Sequence, residues 1–375
     1  MKIYFQFFFW LCFTFSFSFG NCFGQHIYEN SIKRFKYSAL DSLFDGIVKN
    51  KKVTVGVSII DFGDSQRWSV SHSNDKLMDS LVKRNKINFP TMSVYKFHLA
   101  LAILKEVDKG KIALNEELCI KKNDLIENTY SPLRKNLKRT YKEDYEEKLK
   151  EGVFMKLSEL LSYMVSKSDN NACDILFRLL GGKNYEKENK KKVKKELSES
   201  QVIKCRKEYN QKGVEKANKF IRKLGLKHTT ITASEEKMHE SFDNQYLNTT
   251  TPLDAVSLLK HFYNGKILKK ETQDFLWKIL TETQTGSNKL KAGLPQNQDI
   301  ILGHKTGSSF RKEPREGQEF GLKAAENDIG IVITPTKSYA IAIFIKNSTE
   351  SNETNVALIA ELSKMIYEHL INGAK

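Results

Sequence analysis

The positions of the strand-forming segments restrict the fold of this 375-residue chain more than any other feature of its sequence. Apolar runs rich in β-branched residues occur near its start and again near its end, at Val53–Ile60, Asp299–His304, Asp328–Thr334 and Ser338–Ile345. Only Pro335–Lys337, a hairpin signal, separates the last two runs. Because helical patterns fill the middle, we predict an α+β fold in which one antiparallel sheet is built from both ends of the chain and a helical lobe is inserted.

Helical periodicity marks most of the remaining elements. A stripe from Ile32 to Phe44 and the closing segment Asn355–Asn372 predict helices at the two ends of the chain. A short strand is predicted near Trp68–Val70. In the middle we predict helices at Ser93–Val107, Leu157–Ser166 and Asn171–Leu180.

The first residues form a segment of their own. A positive start is followed by an uncharged apolar run, Ile3–Phe19, and then by small residues, which is the layout of a secretory signal peptide. We therefore predict a signal peptide at residues 1–24, with cleavage after Gly20 or Gly24, and export to the periplasm. An uncleaved membrane anchor and lipid attachment at Cys22 are the alternatives. No later segment of the sequence is apolar enough to span a membrane.

The predicted mature domain covers residues 25–375 and is expected to be a monomer. Its α/β lobe is assigned to about residues 25–90 and 296–375, and its helical lobe to about residues 91–295. A lysine-rich insertion at about residues 183–213 lacks apolar periodicity, which indicates a solvated helix or a mobile segment.

The chain is strongly basic, with a formal net charge of +16. No basic segment is interleaved with aromatic residues, and neither a zinc-finger nor an RNA-binding signature is present. We interpret the charge as a solvated surface and expect no nucleic-acid partner. Beyond the signal lie Cys119, Cys173 and Cys205, whose spacing fits neither a disulfide framework nor a zinc site. No metal or cofactor is implied.

A candidate nucleophile opens the predicted central helix. In Ser93-Val-Tyr-Lys96 the spacing places a hydroxyl and an amine on one helical face, where a neutral lysine can accept the serine proton. This spacing alone is weak evidence, because it recurs at Ser73–Lys76, Ser80–Lys83, Ser234–Lys237, Ser257–Lys260 and Ser309–Lys312. Ser93 differs in its setting, since Phe89-Pro90 comes before it and an apolar helix follows.

Two further motifs could bind substrate or move protons. Ser168-Asp169-Asn170 lies between two predicted helices. A serine hydroxyl can relay a proton and an asparagine amide can hold a substrate amide, although these residues also make good helix N-caps. Lys305-Thr306-Gly307-Ser308-Ser309 directly follows a predicted strand and offers a cation and a hydroxyl to a carboxylate. Its glycine allows close approach of two backbones.

Together, and in this order, the three motifs resemble the signature of class A serine β-lactamases and penicillin-binding proteins. The resemblance extends over nearly all of the mature chain and includes the extended-spectrum branch that contains the PER enzymes. It implies a five-stranded antiparallel sheet with flanking terminal helices plus the helical lobe. It also implies hydrolysis of β-lactams, cephalosporins included, through an acyl-serine intermediate. A D,D-peptidase and a penicillin-binding sensor that acylates without efficient turnover are the alternatives.

The resemblance further implies roles for individual residues. Ser93 would attack the substrate, and Lys96, Glu235 or both would take its proton. Ser168 would protonate the ring nitrogen, and the backbone N–H groups of Ser93 and Ser308 would form the oxyanion hole. The other substrate contacts are expected from Tyr130 at the entrance, Asn170 at the side-chain amide, and Lys305, Thr306 and Ser309 at the carboxylate, beside Gly307.

Glu235 is matched by its position before the segment Asn-Thr-Thr-Thr-Pro, which resembles the end of the class A omega loop. Glu236 is a competing assignment. The arginine and aspartate that pair across this loop in most members are replaced here by Ala233 and Asn248, so that no unpaired charge is left. His239 stands in place of an asparagine that helps to hold the hydrolytic water.

Overall fold

The computed structural model describes residues 37–73, 87–183, 198–296 and 299–373. The predicted signal peptide with Cys22, the first residues of the helix predicted from Ile32, and residues 184–197 of the insertion lie outside the described residues. None of the helices in the described ranges combines the length and the apolar character that a bilayer crossing requires.

A large sheet and two short two-stranded sheets are present in the described ranges. The strands are β1 (Thr54–Asp61), β2 (Arg67–Ser73), β3 (Phe89–Pro90), β4 (Glu117–Ile120), β5 (Val153–Lys156), β6 (Thr249–Thr250), β7 (Ile301–Ser308), β8 (Lys323–Ile333) and β9 (Ser338–Ser348). The large sheet is antiparallel throughout, in the order β2-β1-β9-β8-β7. Strands from both ends of the chain meet where β1 pairs with β9, which confirms the predicted α+β fold.

The helices fall into a terminal pair and an inserted set. They are α1 (Ser38–Val48), α2 (Tyr95–Asp108), α3 (Pro132–Tyr141), α4 (Tyr145–Glu151), α5 (Leu157–Ser166), α6 (Asn170–Gly181), α7 (Glu199–Lys223), α8 (Glu235–His239), α9 (Pro252–Tyr263), α10 (Lys270–Thr281) and α11 (Asn352–Asn372). The predicted helices in the middle and at the C-terminus are confirmed, with shifts of a few residues at their ends.

The two terminal helices pack on one face of the large sheet. Val55 and Ile59 of β1 point into a core that includes Phe44 of α1 and Leu362 of α11. Ile60 faces the helical lobe on the other side. Because side chains alternate across a strand, β1, which is buried along its whole length, needs a packed layer on each side. Each fully buried Val, Ile or Leu side chain contributes about 1.5–3 kcal/mol to this packing.

Helix α2 runs through the centre of the helical lobe, and every residue from Tyr95 to Leu104 is buried. A 3₁₀ turn, Met92–Val94, comes directly before it and contacts edge strand β7. The start of the central helix and the edge of the sheet therefore meet at one place. This contact positions the candidate site.

The second part of the lysine-rich insertion forms the start of α7. From residue 199 onward the insertion is helical, which is one of the two predicted alternatives, but this helix is not solvated on every side. Asn210 and Gly213 are buried, and Gly213 lies so close to the carbonyl of Phe177 in α6 that a side chain there would collide with it. Periodicity missed this face because an amide and a glycine form it in place of apolar side chains.

His98 of α2 is held uncharged by burial. The side chain is fully buried, which lowers its pKa from 6.5 to about 4 against a smaller opposing effect of the Val94 carbonyl. Below pH 6.5 the imidazole of the unfolded chain binds a proton, whereas that of the folded chain stays neutral until the pH approaches 4. The free energy of unfolding that this group supports above pH 6.5 is therefore lost as the pH falls toward 4. We expect this group to lower the free energy of unfolding by about 3 kcal/mol across that interval.

Denaturant unfolding of the wild type and of His98→Gln at pH 7 and pH 4 measures this effect. The variant should lose less stability on acidification than the wild type. Equal losses in the two proteins would contradict the assignment.

Candidate active site

The twelve residues predicted to act in the site converge on one cleft between β7 and the helical lobe. The cleft has a volume of about 560 Å³. Ten of the twelve line it: Ser93, Tyr130, Ser168, Asn170, Glu235, His239, Thr306, Gly307, Ser308 and Ser309. The other two, Lys96 and Lys305, are buried and contact this lining through their ammonium groups.

Close packing of β7 against the 3₁₀ turn places Ser93 at the cleft. A Cβ atom added to Gly307 would lie 2.5 Å from the carbonyl oxygen of Thr91 and 3.3 Å from the backbone nitrogen of Ser93, so only glycine fits here. From the neighbouring strand, Asn327 donates to the Thr91 carbonyl at 3.1 Å. The lysine motif had been expected just after its strand, but β7 continues to Ser308 because β8 pairs with it along that length.

Lys96 lies at the centre of the site and is fully buried. Its Nζ donates to the carbonyl oxygen of Ser168 at 2.7 Å and to Oδ1 of Asn170 at 2.5 Å. The same nitrogen lies 3.1 Å from Oε1 of Glu235. Lys96 therefore joins the predicted nucleophile helix, the Ser-Asp-Asn motif and the loop carboxylate in one network.

Glu235 is the first residue of the short helix α8, and its backbone is held from α6. Asp174 accepts the backbone N–H groups of Glu235 at 2.8 Å and of the next residue at 2.9 Å. Burial on its own would raise the pKa of Glu235. The positive charge of Lys96 and the neighbouring imidazole of His239, together with hydrogen bonds from Lys96 and Tyr95, nevertheless bring that pKa below its usual value. An ionised carboxylate is thus kept at the cleft.

Glu236, the competing assignment, points toward a different part of the molecule. Its carboxylate accepts both Nη2 (2.8 Å) and Nε (3.2 Å) of Arg206 on α7, and Nδ2 of Asn210 lies 3.3 Å away. This bidentate ion pair joins α8 to α7. Of these two glutamates, only Glu235 therefore points toward Lys96.

The ends of this loop are joined without an ion pair. Asn248 is fully buried, and its Oδ1 accepts the backbone N–H groups of Thr232 at 2.8 Å and Ala233 at 2.9 Å. Its Nδ2 donates to the carbonyl of Ala233 at 2.8 Å. A neutral amide thus closes the loop through three backbone hydrogen bonds, and no charge has to be buried.

Ser168 and Lys305 form a second hydrogen-bonded pair in the site. Nζ of Lys305 donates to Oγ of Ser168 at 2.9 Å and to the carbonyl of Thr306 at 3.0 Å. Burial, followed by the nearby positive charges of Lys96 and Lys289, holds the pKa of Lys305 well below its usual value. Because the lysine uses the oxygen of Ser168 as an acceptor, the serine keeps its own proton for another partner.

Three further predicted site residues, Asn170, Tyr130 and His239, also line the cleft. Nδ2 of Asn170 donates to the hydroxyl of Thr129 at 2.7 Å, and its backbone N–H binds the carbonyl of Tyr130. Tyr130 is 58% exposed, which argues against a buried structural role for this ring. Nδ1 of His239 lies 2.8 Å from the backbone oxygen of Glu235, one turn earlier in α8.

A buried charge cluster at the far end of β7 was not predicted. Glu326 lies 2.5 Å from Nζ of Lys289 and 3.0 Å from Nζ of Lys323, and it accepts the hydroxyl of Ser308 at 3.0 Å. Ser309 is engaged nearby, since its Oγ accepts the backbone N–H of Ala325 at 2.9 Å. Two lysines against one glutamate leave a net positive charge beside the predicted carboxylate subsite.

The motifs also missed Tyr95 and Asp174, which contact Glu235, and Thr285, whose hydroxyl lies 2.6 Å from that of Thr306. Their spacing in the chain carries no signal, because they come from separate elements. Within the described ranges, no group of three His, Cys, Asp or Glu side chains is placed to hold a metal ion. Of the three cysteines in those ranges, Cys119 and Cys173 are buried and Cys205 is exposed.

Known proteins share both the sequence and the fold of this chain. Residues 39–204 and 209–370 match the β-lactamase enzyme family. A β-lactamase of Bacteroides uniformis is 34% identical over 334 residues, covering 88% of this chain and 91% of that protein. The extended-spectrum β-lactamase PER-1 of Pseudomonas aeruginosa is 32% identical, with 90% of this chain and 91% of that protein covered.

The crystal structure of the TLA-1 extended-spectrum β-lactamase has a TM-score of 0.69 to this structure, at 36% identity over 89% of this chain and 98% of that one. These matches confirm the family and the fold that the three motifs implied. The chain therefore belongs to the β-lactamase enzyme family, as a serine β-lactamase of class A.

Proposed function

We propose that this protein hydrolyses β-lactams, cephalosporins included, through an acyl-enzyme formed on Ser93. The observation that carries the proposal is the 3.1 Å contact between Nζ of Lys96 and the carboxylate of Glu235, buried against the cleft that Ser93 lines. The ionised carboxylate of Glu235 can receive the serine proton directly, or it can take a proton from Lys96 so that the neutral lysine receives the serine proton. The same carboxylate can act as a base for water. Acyl transfer followed by hydrolysis needs both proton transfers.

In the acylation step, Oγ of Ser93 would attack the carbonyl carbon of the lactam ring. Its proton would pass to Lys96, to Glu235 or to both. The carbonyl oxygen, which becomes negatively charged, would accept hydrogen bonds from the backbone N–H groups of Ser93 and Ser308. Close packing of Gly307 on the turn supports this pairing, and each such donor is typically worth about 10²–10³ in rate.

Cleavage of the carbon–nitrogen bond requires a proton on the leaving nitrogen. Ser168 is suited to supply it, since Lys305 donates to its oxygen and leaves the hydroxyl hydrogen free to point into the cleft. Lys305 and Thr306, with Ser309, would hold the substrate carboxylate. Asn170 would bind the side-chain amide through its second N–H, because the first is used by Thr129.

In the deacylation step, Glu235 would deprotonate a water molecule that attacks the ester carbon, and Ser93 would leave with a proton. His239 also lines the cleft, with Nδ1 3.7 Å from Oε2 of Glu235, and would help to hold this water. The pairing of Glu236 with Arg206 supports the choice of Glu235. We further propose that the protein acts as a monomer in the periplasm, after removal of the predicted signal peptide.

Purified mature protein mixed with a chromogenic cephalosporin tests the proposal. We expect continuous hydrolysis over many turnovers. A single burst of one equivalent, with the protein left acylated, would instead identify a penicillin-binding sensor. Cleavage of a D-alanyl-D-alanine peptide without β-lactam turnover would identify a peptidase.

A further inference from the structure

We propose that the hydroxyl of Tyr95 positions Glu235 by holding one carboxylate oxygen, so that the other is presented to the hydrolytic water. This inference rests on the proposed role of Glu235 as the base of deacylation. Tyr95 occupies an unspecified position of the Ser-x-x-Lys motif, so the motif itself assigns it no role.

Two donors meet on the same oxygen of Glu235. The Tyr95 hydroxyl donates to Oε1 at 2.9 Å, and Nζ of Lys96 lies 3.1 Å from that atom. Oε2 is turned toward His239, whose Nδ1 lies 3.7 Å away and whose side chain lines the cleft. The carboxylate cannot rotate without breaking both contacts to Oε1. Oε2 is therefore the oxygen available to a water in the cleft.

Tyr95 is itself held firmly enough to orient another group. It is fully buried in the first turn of α2, and its ring stacks on Phe177 with centroids 5.8 Å apart. Its hydroxyl also lies 3.3 Å from Sγ of Cys173. Asp174, the next residue of α6, holds the backbone of Glu235. Helix α6 thus fixes the main chain of the base, while α2 fixes its side chain.

The charged groups around Glu235 make the effect of the Tyr95 hydroxyl on the pKa of this carboxylate measurable. Titratable groups face this carboxylate from every packed element: Tyr95 and Lys96 from α2, Cys173 and Asp174 from α6, Lys305 from β7, and His239 from α8. Burial raises the pKa of Glu235, and the hydrogen bond from Tyr95 is one of the contacts that lower it. Loss of the hydroxyl removes that contact and leaves the burial, so the base would take up a proton at a higher pH.

Tyr95→Phe tests the inference, because it keeps the ring and removes only the hydroxyl. The acyl-enzyme is formed, freed of excess β-lactam, and followed by intact mass while it decays at a series of pH values. We expect the acid limb of the deacylation rate to move up by about one pH unit, and the rate on that limb to fall about tenfold. An unshifted profile, or a loss that is equal at every pH, overturns the inference.

Tyr339→Phe is the matched control. Tyr339 lies on β9, and its buried hydroxyl has no hydrogen-bond partner among the described residues, so its removal should leave the pH profile unchanged. A shift in this control equal to that of Tyr95→Phe would overturn the inference. If Tyr95→Phe fails to fold, 3-fluorotyrosine introduced at position 95 keeps the hydroxyl and makes it a stronger donor. The acid limb should then move to lower pH, and an unchanged limb would overturn the inference.

Glu235→Gln separates this inference from the function on which it rests. If that variant deacylates like the wild type, the proposed base is wrong. If it accumulates acyl-enzyme while Tyr95→Phe keeps the wild-type pH profile, only the role of Tyr95 is wrong.

Discussion

Ser93→Ala should abolish covalent labelling by a β-lactam and lower kcat/KM for a chromogenic cephalosporin by about 10⁴–10⁶. The expected loss is large because the whole acyl-enzyme route depends on this oxygen, while the rest of the site can only bind the substrate. Ser93 lies on the turn against which Gly307 packs, in the cleft beside the Lys96–Glu235 pair. Steady-state rates and intact mass after incubation with a β-lactam measure the two effects.

Ser257→Ala is the matched control, because Ser257 and Lys260 repeat the same spacing on α9. Its Oγ donates to the carbonyl of Leu253 at 2.7 Å, within the helix and outside the cleft. We expect wild-type turnover and labelling. An adduct that persists in Ser93→Ala, or that maps to Ser257, would show that the nucleophile has been misassigned.

Glu235→Gln should still acylate at Ser93 but should deacylate about 10²–10⁴-fold more slowly. Glutamine keeps the volume of the side chain and its hydrogen-bonding capacity, yet it cannot accept a proton from water. The acyl-enzyme should therefore accumulate. It would be visible as a mass increase equal to that of the bound β-lactam, while kcat falls.

Glu236→Gln tests the neighbouring carboxylate in the same way. Its loss weakens the partly exposed pair with Arg206 and the contact with Asn210, both outside the network of Lys96, so we expect nearly wild-type turnover and a stability loss of at most about 1 kcal/mol. If the two variants exchange behaviour, Glu236 is the base. If neither slows deacylation, the proposed base mechanism is wrong.

Much of the architecture could be predicted from local sequence patterns. The apolar runs near Val53 and in the last fifty residues predicted strands, and β1 pairs with β9 as the predicted fold requires. Side-chain alternation and turn chemistry are local properties, so they can be read from a short stretch of sequence. The three motifs and the family resemblance also identified the cleft, since all twelve predicted site residues lie in it or directly behind it.

Local patterns did not predict the packed side of α7, which contacts α6 through Gly213 and α8 through Arg206. A glycine and an arginine can form a buried or half-buried contact only if the partner surface is already shaped to receive them. The sequence of one helix does not describe that surface. The solvated side of α7 was therefore predictable, and its packed side was not.

By itself, the sequence determined the order of elements, the family and the residue types that we propose for the chemistry. Only the tertiary structure distinguished Glu235 from Glu236, because adjacent residues of a helix point in different directions and one meets Lys96 while the other meets Arg206. It alone showed Asn248 closing the loop and Tyr95 donating to the carboxylate of Glu235. These contacts join residues from 15 to 140 positions apart. A hydrogen bond tolerates a change of only a few tenths of an ångström in the donor–acceptor distance, and the packing of whole elements sets that distance.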